Sequence, residues 1–141
     1  MKRFALVAVS VALGGCAGTV MQPVQVEQQT FALQLAAPGS VSAGERAPIT
    51  VAIEGRGGFH VNLEYPVRIE LMGTGGVALD KSTLAAGDAS ELSEQRARFE
   101  TAARWSSAGR HRLSARAQFA VCTPDTCVPR EETIAVAVDV R

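Results

Sequence analysis

Aromatic residues are scarce in this 141-residue chain: five phenylalanines, one tyrosine and one tryptophan, with no basic stretch interleaved among them. Charge of one sign is lacking too, since 14 Lys and Arg stand against 14 Asp and Glu, interspersed along the chain. These two shortages remove the footprint of a nucleic-acid binder, which needs a basic face and, for single strands, stacking rings. No apolar run reaches the ~20 residues of a membrane-spanning helix. Gly-x-Ser-x-Gly, His-Glu-x-x-His and a glycine loop leading from strand to helix are all absent. Conventional hydrolase and phosphate-binding chemistry therefore have no support. Gly55-Arg56-Gly57-Gly58 reads as a turn between strands, and Glu64 and Glu70 as a solvated strand face rather than a catalytic dyad. No internal repeat and no sustained helical period occurs. What remains is a small set of cysteines, three in all, in two groups.

The first group is Cys16 alone. Met1-Lys2-Arg3 is a short positive start, residues 4–13 are apolar, and Leu13-Gly14-Gly15-Cys16 closes the run. Charge followed by an apolar stretch of this length matches a secretory signal and is too short to span a bilayer. Leu-Gly-Gly-Cys resembles the lipobox of bacterial lipoproteins, in which the signal is cut before the cysteine and that cysteine carries lipid. The resemblance implies a signal peptide over residues 1–15, lipidation of Cys16, and a body held at a membrane through its lipid. Ala17 stands where an inner-membrane retention signal would place Asp, so the expected address is the outer membrane, facing the periplasm. An ordinary signal peptide with an incidental cysteine is the competing reading. Outside the cytoplasm, two neighbouring thiols are oxidised by default.

Residues 16–30 follow as a tether: they are polar, with four glutamines and Pro23, although Val24 and Val26 equally suit the start of an edge strand. From Phe31 the apolar period is two. Phe31, Leu33 and Leu35, then Ile49, Val51 and Ile53, then Val67, Ile69 and Leu71 alternate with small or polar residues. Glycine-rich turns separate these runs. Residues 85–90 read as loop, and residues 90–98 have room for a turn of helix. Alternation resumes at Phe99, and Trp105 reads as core or strand-end packing. The longest strand places Leu113, Ala115, Ala117, Phe119 and Val121 on one face, and Ile134, Val136, Val138 and Val140 mark the last strand. About seven short strands without a helical segment predict an all-β fold, an antiparallel β-sandwich over residues 31–141.

The second group is Cys122-Thr123-Pro124-Asp125-Thr126-Cys127, between those last two strands. Core positions are odd before the loop and even after it, so both thiols fall on the outer, more accessible parity unless a bulge intervenes. A disulfide across so short a loop contributes only about 2 kcal/mol by chain entropy. Cys-x4-Cys is not a thioredoxin-type Cys-x-x-Cys, and it is equally read as an oxidised pair that fixes a loop. Nearby, Asp125 disfavours a thiolate and Arg130 favours one.

Residues 58–140 resemble the periplasmic amino-terminal domain of the thiol:disulfide reductase DsbD. The resemblance is carried by Gly58-Phe59-His60-Val61-Asn62, by Tyr65-Pro66-Val67-Arg68-Ile69-Glu70-Leu71, by Ser107-Ala108-Gly109 leading into the long strand, and by Cys122 with Cys127-Val128-Pro129-Arg130-Glu131. Four residues separate the cysteines, one fewer than in the DsbD member compared. The resemblance implies an immunoglobulin-like sandwich in which Cys122 and Cys127 are the redox pair, without any cofactor. The segment with Phe59, His60, Asn62 and Tyr65 would cap that pair, and a periplasmic thioredoxin-fold protein would be the partner in disulfide exchange. The alternative is a non-catalytic envelope binding or assembly module whose disulfide is structural. A weaker option assembles His60 and His111 with the cysteines into a metal site, but their spacing does not bring them together and oxidation removes the thiolates.

Overall fold

The computed structural model describes residues 20–141, so the lipobox and Cys16 lie outside the described residues. The first strands are β1 (Met21–Glu27), β2 (Phe31–Pro38), β3 (Ser40–Val41) and β4 (Ala47–Gly55). Next come β5 (His60–Val61), β6 (Arg68–Gly73), β7 (Val77–Leu79) and β8 (Thr83–Ala85). After a single 3-10 turn at Ala86–Asp88 the chain forms β9 (Ala89–Leu92), β10 (Arg96–Trp105), β11 (Gly109–Cys122) and β12 (Cys127–Val140). One sheet runs β1-β2-β4-β10-β7 with β9 also on β10; the other runs β3-β12-β11-β6-β8 with β5 also on β11. All pairings are antiparallel except the short β12–β3 contact. The chain is an immunoglobulin-like β-sandwich: the alternation implied the sandwich, and the family resemblance its immunoglobulin-like form.

The two apolar faces meet in one core. Leu33, Leu35, Ile49, Val51, Ile53, Phe99 and Trp105 come from the first sheet, and Ile69, Leu71, Leu113, Phe119, Val136 and Val138 from the second; all are buried. Phe31 and Phe119 bridge the sheets edge to face, with ring centroids 5.2 Å apart and planes at 76°. That geometry sets the positive edge of one ring against the negative face of the other.

Two segments differ from expectation. Met21–Glu27, inside the stretch read as tether, is an edge strand paired along its whole length with β2, from Met21↔Pro38 to Glu27↔Ala32. Its side chains are mostly exposed, so the strand is held by backbone hydrogen bonds rather than by an apolar face. Residues 90–98 hold no helical turn: β9 and β10 form a hairpin closed by Ser93 N–H donating to the Arg96 carbonyl at 2.8 Å.

The β11–β12 hairpin positions the cysteines. Its register is unbroken from Gly109↔Val140 to Cys122↔Cys127, so no bulge reverses the parity along its 14 pairs. On its outward face Arg116 Nε donates to Glu131 Oε1 at 2.7 Å and Gln118 Nε2 to Glu131 Oε2 at 3.2 Å. Gln118, and then Arg116, hold the Glu131 carboxyl below its ordinary range. A depressed carboxyl contributes stability that is present above its unfolded pKa and lost as pH falls through its folded one. Glu131→Gln should therefore lose less stability than the parent chain between pH 7 and below ~4. The difference will be small, because the pair is exposed and screened. Urea titrations at the two pH values check this, and identical losses would contradict it.

Candidate functional site

The site is built where the long hairpin ends. Cys122 and Cys127 face each other directly across it and form a disulfide, their Cα atoms 4.1 Å apart. The 123–126 loop beyond them is tied by Thr123 N–H donating to the Thr126 carbonyl at 2.8 Å. Thr123 Oγ1 in turn accepts from the Asp125 and Thr126 N–H groups, at 3.3 and 3.2 Å. A short loop knitted this way fixes both sulfurs relative to the sheet.

A second segment is delivered to the same place by glycine. Gly57 and Gly58 turn the chain after β4 with φ of 60° and 82°, a region that side chains other than glycine's rarely adopt. A Cβ on Gly57 would also stand 2.6 Å from the Gln29 carbonyl oxygen. The turn drops β5 beside the end of β11, pairing Val61 with Val121 and His60 with Cys122. Backbone bonds clamp it from both sides: Val61 N–H donates to the Glu94 carbonyl at 2.7 Å, and Asn62 N–H to the Ala120 carbonyl at 2.9 Å.

Asn62 is the contact between that segment and the sulfurs. Its Nδ2 donates to Cys122 Sγ at 3.2 Å and lies 3.7 Å from Cys127 Sγ. Its Oδ1 accepts from the Glu64 and Tyr65 N–H groups at 2.8 and 3.2 Å, closing a local turn. Those two backbone donors fix which way the amide points, because a flipped amide would set N–H against N–H. His60, Val61, Asn62, Leu63, Glu64 and Glu94 join the cysteines, Thr123 and Pro124 around a groove of about 430 Å³.

The two sulfurs are not equivalent. Alternation put both on the outer parity, and the unbroken register agrees, but Cys122 is only 3 % exposed whereas Cys127 is exposed. The expectation that both thiols are accessible is therefore corrected for Cys122. Parity fixes the direction of a side chain; it is blind to a loop such as 62–65 that folds against it.

The remaining expected residues divide. His60 lines the groove. Tyr65 is tied to Asn62 through its backbone and is partly exposed, but does not line the groove. Phe59 packs against the core instead. Arg130, expected to favour a thiolate, is on the core parity with its guanidinium 5.6 Å from the Phe31 ring centroid, turned away from the sulfurs. His111 lies apart from the groove, in a surface depression with Thr74, Arg110 and Arg112. Among the described residues no group of three or more His, Cys, Asp and Glu is gathered for a metal ion.

Leu63 and Glu64 fall inside the 59–65 segment that the resemblance set against the pair, without being singled out there, whereas Glu94 was missed altogether. Glu94 arrives from the β9–β10 turn of the other sheet, and nothing in a local pattern signals that approach. The groove thus has an exposed apolar side chain, Leu63, and two exposed carboxylates, Glu64 and Glu94. The carboxylates disfavour a thiolate, and the amide of Asn62 is the donor placed to favour one.

The fold and site together define an immunoglobulin-like sandwich with a hairpin-end disulfide under a capping segment. No protein-family model matches the chain, and no curated protein does. Among solved structures it is similar to the GAE domain of GGA2p from Saccharomyces cerevisiae, at 7% identity and a TM-score of 0.49, over 82% of this chain and 97% of that one. It is also similar to the yeast GGA1 GAE domain, at 11% identity and a TM-score of 0.45, over 82% and 98%. A third is AggA, the major subunit of aggregative adherence fimbriae type I from Escherichia coli, at 8% identity and a TM-score of 0.41, over 79% and 95%. These likenesses concern the course of the chain and do not bear on the groove.

Proposed function

We propose that this chain is a lipid-anchored, periplasm-facing domain that relays electrons by thiol–disulfide exchange with a thioredoxin-fold partner. Cys16 carries the lipid and places the domain at the outer membrane; Cys122 and Cys127 are the exchanging pair. The observation that carries this reading is the asymmetry of the disulfide: an exposed Cys127 and a buried Cys122 line the same groove, with the Asn62 amide donating to both sulfurs. A partner thiolate has access to Cys127, and the resemblance of residues 58–140 to the DsbD amino-terminal domain supports the same pair. The short loop adds weight, because a bridge worth about 2 kcal/mol is a poor brace for a whole sandwich.

A structural disulfide in a non-catalytic envelope module is the second reading, favoured by the burial of Cys122. The reduction potential of the pair separates them, because exchange proteins and locked structural disulfides occupy different ranges.

A further inference from the structure

We propose that Asn62 is a catalytic residue of the exchange step, holding the Cys122 sulfur as it leaves with negative charge. This rests on the reading of the pair as an exchange disulfide. An incoming thiolate from a partner dithiol must approach along the S–S axis, and only Cys127 is open to it. As the new bond forms at Cys127 Sγ, the Cys122–Cys127 bond breaks and its electron pair stays on Cys122 Sγ. The partner's second thiolate then attacks the partner's own sulfur in the mixed disulfide, closing the partner's disulfide and releasing Cys127 as a thiolate. The partner is oxidised by two electrons, the pair is reduced by two, and the thiolates take protons from solvent according to their pKa values.

The new charge therefore develops first on the sulfur that is 3 % exposed and poorly served by water. Asn62 Nδ2 stands 3.2 Å from that sulfur and 3.7 Å from the attacked one, nearer the atom that becomes charged. A neutral disulfide sulfur is a weak acceptor and a thiolate a strong one, so this bond tightens as the step proceeds. The donor needs no reorganisation, since Glu64 and Tyr65 N–H groups already fix the amide. Such prepositioned donors lower the barrier where charge appears. Glu64 and Glu94, which line the same groove, work against the charge, and the Asn62 amide works for it.

Two substitutions separate the donor from the turn. Asn62→Asp keeps oxygens for the Glu64 and Tyr65 N–H groups and removes the N–H donor; Asn62→Ala removes both. The probe is dithiothreitol in excess, acting on the full chain in detergent with Cys16→Ser so that only the pair reacts, quenched by alkylation. Both variants are expected to be reduced slower by roughly tenfold to a hundredfold, the worth of one hydrogen bond to a charged group. Slowing in Asn62→Ala alone would assign Asn62 to the turn only. Slowing in Asn62→Asp alone would assign the effect to the added charge, and no slowing in either would remove Asn62 from the step; each overturns the proposal. The unsubstituted chain's reduction potential, measured on the same preparation, tests the exchange reading separately. A structural-disulfide potential with slow variants would sink that reading while leaving Asn62 as the donor to the Cys122 thiolate.

Discussion

Cys122→Ser should trap a stable mixed disulfide with an oxidised thioredoxin-fold protein through Cys127, while Cys127→Ser should trap little or none. The asymmetry follows from exposure. With Cys122 replaced, the exposed Cys127 thiolate still attacks the partner's disulfide, and no second sulfur remains to resolve the intermediate. With Cys127 replaced, the remaining sulfur is the one lying 3 % exposed under Asn62, and a partner's sulfur cannot line up behind it. Non-reducing gels of each variant with the same partner read the outcome as presence or absence of a conjugate. Equal trapping by both variants, or trapping by Cys127→Ser alone, would contradict the assignment of Cys127 as the attacked and attacking sulfur. Absence of trapping by both would leave the structural-disulfide reading standing.

Phe119→Ala is expected to cost about 3–5 kcal/mol of folding stability, as for a fully buried aromatic cut back to a methyl group. Phe119 is 1 % exposed, lies three residues before Cys122 on β11, and meets Phe31 of the opposite sheet edge to face. Its removal opens a void at the cysteine end of the sandwich and takes away an aromatic pair that contributes beyond area alone. Against a total stability of roughly 5–15 kcal/mol for an ordinary domain, such a loss approaches unfolding. Phe119→Leu should cost clearly less, because most of the buried volume stays. Urea titration of the oxidised proteins measures both. A loss under about 1 kcal/mol for the alanine variant would match a half-exposed side chain rather than a packed one, and the two-layer core described above would then be wrong at this end.

Much of the framework was legible from alternation alone. Leu33 with Leu35, Ile49 with Ile53, and Leu113 through Val121 read as strands facing a core because burial on one side of a pleated strand writes a period of two into the sequence. The same logic located both cysteines on the outer parity, and the unbroken β11–β12 register bears that out. Strand β1 was not legible as a whole, because an edge strand with exposed side chains is bound through its backbone and leaves no apolar signature. Residues 90–98 misled for a related reason: the β9 half of that hairpin is mostly exposed, so its composition resembles loop or helix equally well.

At the site, the short distance in sequence revealed the disulfide, but not the difference between its two sulfurs. That difference comes from the 57–65 segment, over fifty residues away in sequence, folding against one of them. Asn62 entered the sequence reading only as part of a capping segment implied by family resemblance. Its role as a donor depends on a side-chain orientation set by two backbone N–H groups, which no spacing rule reports. Arg130 shows the converse error: a place three residues after Cys127 suggested an electrostatic role, whereas its parity turns it to the Phe31 ring.

The most direct test of the account is the reduction potential of the Cys122–Cys127 pair in the Cys16→Ser chain, equilibrated in glutathione buffers and scored by thiol trapping. A value between roughly −120 and −270 mV, the span of known exchange proteins, is expected of an exchanging pair. A value below about −300 mV would mark a structural disulfide beyond the reach of such partners, and the exchange function would have to be given up.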